Sequence, residues 1–297
     1  MRTRPADRWY EPALGALVLV VAAGLGLAFG GMPGAVAGAA LGGAGAAALW
    51  ARGRRRAALR REVAEAPFPD TWRRVLSDGY EHYERLPDDL RRRFEADVRV
   101  FLAEKRITGV RVEATDDLKL LVAASAVTLS LCWPEYEWDQ LTEVLLYPQD
   151  FGRDYEFEDA ELAGQAHPWG TVILSVPALL ESFEEPWDGF HVGLHEFAHV
   201  LGLTQTEFGA VPVGLPGARA QEWLEVVERE RDRIRRGKSV IDTYGDESDV
   251  EFMAVAVEAF FELPQHLRQR HREVYTILSE YFRQDPAAWD DERGLAP

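Results

Sequence analysis

The run Asp188-Gly-Phe-His-Val-Gly-Leu-His-Glu-Phe-Ala-His-Val-Leu-Gly202 carries the pentapeptide His195-Glu196-Phe197-Ala198-His199. Phe190, Val192, Leu194, Phe197, Ala198, Val200 and Leu201 make it apolar nearly all round, the pattern of a helix buried in a core. Asp188 is the expected N-cap and Gly202 the expected C-terminal stop. Residues four apart on a helix lie about 6 Å apart along one face, so His195 and His199 can each bring a ring nitrogen about 2.0 Å from one ion. Glu196 falls beside them, too far round the helix to ligate but placed to take a proton from an activated water. This is the HExxH pattern of zinc-dependent hydrolases, with Glu196 as general base. Two histidines and a glutamate buried without partners are costly, and a metal removes the cost.

An HExxH helix needs a third protein ligand, leaving one position for water. His191 precedes His195 by four, but three histidines over eight residues span about 12 Å, too far for one ion. It reads as a neighbour of the site or a packed residue. Glu251, in Asp249-Val-Glu-Phe-Met-Ala-Val-Ala-Val-Glu258, is the better candidate, an acidic residue on an otherwise apolar helix. Glu258, seven residues on, returns to the same face and is placed to orient a ligand.

Outward from this core, the 297 residues have room for an extra segment and one domain of ordinary size. The formal charge of −17 is unevenly spread: residues 1–61 hold nine arginines against Asp7 and Glu11, a net +7, and the remainder carries −24. So acidic a domain repels nucleic acid. Cys132 is the single cysteine, which excludes a disulfide framework, and its apolar setting predicts a small buried thiol.

Ala13 to Ala51 is a stretch of 39 residues without a charge. As one straight helix it would run about 58 Å against a hydrocarbon core of about 30 Å. It is therefore expected to fold back at Gly30-Gly-Met-Pro-Gly34, giving a transmembrane helical hairpin with spans at 13–29 and 35–51. Arginines flank both outer ends and none lies in the turn, which puts both termini in the cytoplasm, as for a bacterial inner-membrane protein. Trp9, Tyr10 and Trp50 would share one interface, and Gly34, Gly38 and Gly42 give the spacing at which helices approach closely. A cleaved signal peptide would be shorter and end at a small-residue site, whereas this stretch runs straight into Arg54-Arg-Arg56. The glycines follow no predicted strand, which excludes a dinucleotide loop. The division expected is a membrane hairpin with basic flanks over 1–61 and the HExxH-bearing domain over 62–297.

Beyond the punctuation at Pro67-Phe-Pro69, helical periodicity covers 70–86 and 87–105, and a mostly apolar helix covers 116–132. Strands are expected at 107–114, 143–147 and 169–176. From Pro177 the pattern is helical through 219–236, 248–263 and 271–283. Strands among helices early, then helices alone, predict an α+β domain. The strand at Thr171 to Val176 is expected to border the cleft and pair with a substrate backbone.

Further matches to one family lie at Phe101-Leu-Ala-Glu-Lys-Arg106, Val172-Ile-Leu-Ser175, Pro186-Trp-Asp-Gly189, Tyr244-Gly245, Glu251-Phe252, Val257-Glu-Ala-Phe-Phe261 and Phe282-Arg-Gln-Asp-Pro286. With the HEFAH run, they make the chain from about Pro67 to Pro286 resemble the Mlc titration factor A family of zinc peptidases. The catalytic core of that family is similar to that of anthrax lethal factor. The resemblance implies a zincin-like metallopeptidase domain with one Zn2+ on His195, His199 and Glu251, Glu196 as base, and a peptide or protein substrate. It also implies that Tyr244 donates a hydrogen bond to the tetrahedral oxyanion, and it suggests a transcription-factor partner. The chain departs from the family at Phe190-His191, where relatives commonly carry His-Asn, and at Val200-Leu-Gly202, where they usually carry Gln-Leu-Asp. Glu207 and Thr204 are the nearby groups able to replace that aspartate.

Overall fold

The computed structural model describes residues 5–134, 136–157, 161–206 and 209–293, with the side chains of 5–13, 203–206 and 290–293 outside the description. The chain divides into two compact units, Met1–Ala66 with Pro134–Tyr136, and Pro67–Trp133 with Glu137–Pro297.

In the first unit, helix α1 (Pro5–Glu65) is broken at Gly31, whose φ of 59° and ψ of −149° only glycine adopts without strain. On either side of that break the backbone comes back against itself. A Cβ at Gly26 would strike the Gly34 carbonyl, one at Gly38 would strike the Ala22 carbonyl, and one at Gly42 would lie 2.8 Å from the Leu19 Cα. Glycine at these positions is what lets two helical backbones touch. The stretch is long and apolar enough to cross a membrane. Its outward side chains, among them Val20, Phe29, Leu41 and Trp50, are exposed. Trp9 and Tyr10 have helical backbones, but their side chains lie outside the described ones.

The second unit is α+β. Helices α2 (Asp70–Gly79), α3 (Glu81–Arg85) and α4 (Asp88–Glu104) precede strand β1 (Arg106–Gly109) and helix α5 (Asp116–Ser130). Then come β2 (Glu143–Tyr147), β3 (Gly164–Ala166), β4 (Thr171–Ser175), α6 (Val176–Glu184) and α7 (Val192–Leu201). A two-stranded ribbon of β5 (Leu203–Thr206) and β6 (Gly209–Pro212) follows, then α8 (Gly217–Arg235), a 3-10 turn (Thr243–Asp246) and α9 (Asp249–Glu262). Helices α10 (Pro264–Arg270), α11 (Arg272–Phe282) and α12 (Pro286–Arg293) complete it. The main sheet has the order β1-β2-β4-β3, parallel except for β3, which runs antiparallel to β4.

The strand expected over 107–114 ends at Gly109 because the chain folds over it: a Cβ there would strike the Val112 carbonyl, and Arg111 takes a positive φ of 61°. The helix expected over 70–86 is two, parted at Tyr80, whose extended backbone returns its N–H to the Leu76 carbonyl at 2.8 Å. Cys132 is half-buried rather than buried.

The core lies where α7 packs between α5 and α9 under the sheet. α5 is buried from Leu120 to Ser130 and α9 from Phe252 to Glu262. Phe197 of α7 meets Phe101 and Trp138 edge-on, and Gly193 sits so close to Ser125 that a side chain there would collide with its hydroxyl. Contacts of this kind fix the helix that carries HExxH to within the tolerance that core packing enforces.

Glu262, in the last turn of α9, is buried and accepts the Trp187 N–H at 2.9 Å. Burial pushes its carboxyl up from 4.5 to about 7, against the Trp187 N–H and the Arg85 charge, which pull it down. Between those values the unfolded chain has lost a proton that the folded chain keeps, so stability falls as pH rises through that window and levels off above it. The expected loss is about 3 kcal/mol. Urea unfolding on both sides of the window should show it, and Glu262→Gln should remove that part of the slope.

Candidate metal centre

α7 begins later than the sequence predicts. Its N-cap is His191, whose Nδ1 accepts the Leu194 N–H at 3.3 Å, while Asp188 accepts the Phe190 N–H at 2.8 Å in the preceding turn. The reason is spatial. His191 is fully buried, and its own N–H is held by Glu258 Oε2 at 2.6 Å, which fixes where the helix can start. Gly202 ends the helix with a φ of 79°, as its position predicts.

On α7, the His195 and His199 rings stand 4.8 Å apart, centre to centre. α9 brings Glu251 to them. Ser248 caps that helix by accepting the Glu251 N–H at 3.1 Å, and Asp249 accepts from Ala210 N–H at 3.1 Å and Arg231 at 2.9 Å, tying the first turn to β6 and α8. Glu251 Oε2 then lies 3.2 Å from His195 Nε2 and 3.4 Å from His199 Nε2, and the three ligand atoms are within 4.8 Å of one another. A tetrahedral ion with bonds of about 2.0–2.1 Å has its ligand atoms about 3.3 Å apart, so the separations suit one metal ion.

The electrostatics agree with the geometry. Burial works to raise the Glu251 carboxyl, but its hydrogen bonds to His195 and His199 overrule it and hold it at about 2. Burial works to lower His195, yet Glu251 and Glu258 raise it to about 10 in the absence of metal. Three carboxylates, Glu196, Glu251 and Glu258, thus surround two imidazoles in a cluster that calls for added positive charge, which a dication supplies.

Glu258 Oε1 meets His195 Nδ1 at 2.8 Å, so the residue expected to orient a ligand touches a candidate ligand. That contact fixes the ring with Nε2 toward Glu251. Replacing Glu258 with Gln should weaken metal binding about 10–100-fold, the usual cost of losing such a partner, measured by competition with a chromogenic chelator.

Glu196 is 5% exposed, and its Oε2 makes no hydrogen bond within the described residues. Burial pushes its carboxyl above the ordinary range, against the pull of the two histidines. Gly164 of β3 covers it: a Cβ there would stand 2.6 Å from Glu196 Cγ and 2.7 Å from Oε1. Tyr244 sits in the 3-10 turn, held by the Asp242 side chain, which accepts its N–H at 2.7 Å. Its ring is 6.0 Å from that of His195 and half exposed, and burial, then the Glu251 charge, pushes the hydroxyl up, so that it remains a donor.

Residues 51–283 match the glucose-regulated metallo-peptidase M90 family. The chain belongs to that family. Among relatives of this M90 chain, the Synechocystis sp. protein slr2042 is 30% identical over 244 residues, 76% of this chain and 88% of the relative. Mlc titration factor A of Edwardsiella ictaluri is 28% identical over 222 residues, covering 68% of this chain and 83% of its own. Mlc titration factor A of Salmonella agona is 27% identical over 208 residues, 63% and 76% of the two chains. The resemblance drawn from the separate motifs is thus borne out.

Two further features of the M90 chain differ from the sequence reading. Strand β4, expected at the cleft's edge, lies inside the sheet between β2 and β3, so β3 is the edge instead. Gly164-Gln165-Ala166 went unread because three residues with no apolar alternation carry no strand signal. Of the groups proposed for the missing aspartate, Glu207 lies outside the described residues, and Thr204 is described only as backbone in β5.

Proposed function

We propose that the protein is a membrane-anchored, zinc-dependent peptidase of zincin-like fold that hydrolyses peptide bonds on the cytoplasmic face of a bacterial inner membrane. The observation that carries this reading is the convergence of His195, His199 and Glu251 at ligand spacing, beside a buried Glu196 carboxylate with an oxygen that has no partner among the described residues.

A zinc ion held by His195, His199 and Glu251 would supply Lewis-acid polarisation of a carbonyl and ready a water for attack near neutral pH. Glu196 takes the proton of the attacking water and returns it to the leaving nitrogen. Its raised affinity for protons suits both halves of that exchange. Tyr244 donates a hydrogen bond from its hydroxyl to the oxyanion as charge builds there. Glu258 holds the His195 ring in the tautomer that presents Nε2. β3, with its outer edge facing the cleft, pairs with the substrate backbone. A peptide digest should show hydrolysis that a chelator abolishes and added zinc restores. Digestion that persists under chelation would reject the reading.

For the anchor, we infer two spans, 13–29 and 35–51, joined at 30–34. The break at Gly31 and the glycine-mediated approach of the two halves support it. The arginines at 52, 54, 55 and 56 and at 2, 4 and 8 put both ends on the cytoplasmic side.

A second reading is favoured by the name of the relatives, Mlc titration factor A, which speaks of titrating a partner. In it, the chain is a membrane-tethered regulator that binds a transcription factor through the same fold without turnover. Capture of the partner by a Glu196→Gln variant would support it. Loss of partner control together with hydrolysis would support the peptidase.

A further inference from the structure

Two cavities meet over the triad, sharing His195, Glu196, Tyr244 and Gly164. One, of about 330 Å³, extends past the beginning of β3. The other, of about 630 Å³, extends past its end, toward His167 and Arg153. We propose that the first is a side-chain subsite for lysine or arginine, and that the enzyme cuts on the amino side of such a residue. This rests on the peptidase reading above.

Charge and shape support it. The first cavity is walled by Val192, Val240 and Val255, which suit the methylene stem of a long basic side chain. Glu161, Asp188 and Asp242 stand around it, and no lysine or arginine lines it among the described residues. The Glu258 carboxylate at its floor is already taken by His195 and His191. The buried Glu196 side chain, whose Oε2 has no partner among the described residues, lines the same cavity, so the cavity adjoins the group that would act on a bound ligand. Three carboxylates around apolar walls hold a cation at the end of an aliphatic stem and repel an acidic one.

The direction follows from β3. A peptide added to that edge in the more stable, antiparallel sense runs from the Ala166 end toward the Gly164 end. Its residues beyond the cleaved bond therefore enter the acidic cavity, and those before it lie toward Arg153 and His167. A basic residue before the bond meets the Arg153 charge. One after it meets Glu161, Asp188 and Asp242.

The test uses the full, zinc-loaded chain in detergent and paired peptides with a single lysine or its uncharged analogue norleucine on either side of the candidate bond. Cleavage sites and rates are read by mass spectrometry. Lysine after the bond should be preferred over norleucine by about tenfold. Asp188→Asn with Asp242→Asn should cut that ratio to within about threefold, since asparagine keeps the side-chain oxygen each turn uses as its cap. Glu161→Gln, at an exposed position, gives a second variant whose folding is not at issue, and it should lower the ratio in the same direction. Equal rates for lysine and norleucine, or cleavage after lysine, would overturn the proposal. Binding of the same fluorescent peptides to a Glu196→Gln variant is measured alongside, so that a failure of hydrolysis as such is told apart. Should no peptide be cut by any form, the peptidase reading fails and binding alone decides: a lysine preference that the asparagine pair abolishes upholds the subsite, and equal affinities refute it.

Discussion

Glu196→Gln should retain the metal and lose peptide hydrolysis by about 10³-fold, within the range ascribed to a positioned acid–base group. The substitution keeps the volume of a side chain that is 5% exposed and removes only its capacity to carry a proton. Glu196 is not among the three groups at ligand spacing, so metal content should be unchanged. Its effect should fall mainly on kcat, because the lost proton transfer is made in the transition state rather than in the bound ground state. A variant with full metal content and undiminished turnover would show that some other group is the base.

Gly164→Ala should cost about 10²-fold in hydrolysis with little effect on folding, the scale at which a 1 Å misplacement is felt. The added methyl would come 2.6 Å from Glu196 Cγ and 2.7 Å from Oε1, far inside contact distance. The neighbour able to give way is the Glu196 side chain, so the methyl acts by moving the proposed base. The candidate ligands are tied down by separate hydrogen bonds, His195 to Glu258 and the Glu251 N–H to Ser248, so a bound metal should remain. Activity in Gly164→Ala close to that of the parent, with the thermal midpoint unchanged, would show that Glu196 does not need its present position.

How far this site was legible in the sequence depends on which interactions carry each part of it. His195, Glu196 and His199 are fixed by the geometry of a single helix turn, which spacing alone reveals. Glu251 and Glu258 were legible because acidic residues on a buried apolar helix demand a partner, and the structure supplies one at 3.2 Å and at 2.8 Å. Tyr244 came only through family resemblance, since it lies in a short 3-10 turn held by Asp242 and no periodicity points to it. Gly164 was illegible. Its role is an absence of side chain over a residue 32 positions away, a long-range constraint that local pattern does not encode. The start of α7 was misplaced for a related reason, because the Glu258 contact to the His191 N–H, 67 residues apart in sequence, overrides the local capping preference of Asp188.

The fold followed the same division. The buried helices α5 and α9 and the parallel strands β2 and β4 announce themselves by apolar runs of the right length. The edge strand β3 and the β5–β6 ribbon are short and lack the apolar alternation of a strand, and they exist because neighbours offer backbone partners, so they emerge only in three dimensions.

The most direct measurement of the central claim is metal content by mass spectrometry on the full chain purified in detergent, beside His195→Ala, His199→Ala and Glu251→Ala. One zinc per chain in the parent, and a loss in each of the three variants that leaves the secondary structure intact, is the predicted result. A parent that binds no zinc after reconstitution, or a Glu251→Ala variant that holds it as tightly as the parent, would contradict the account.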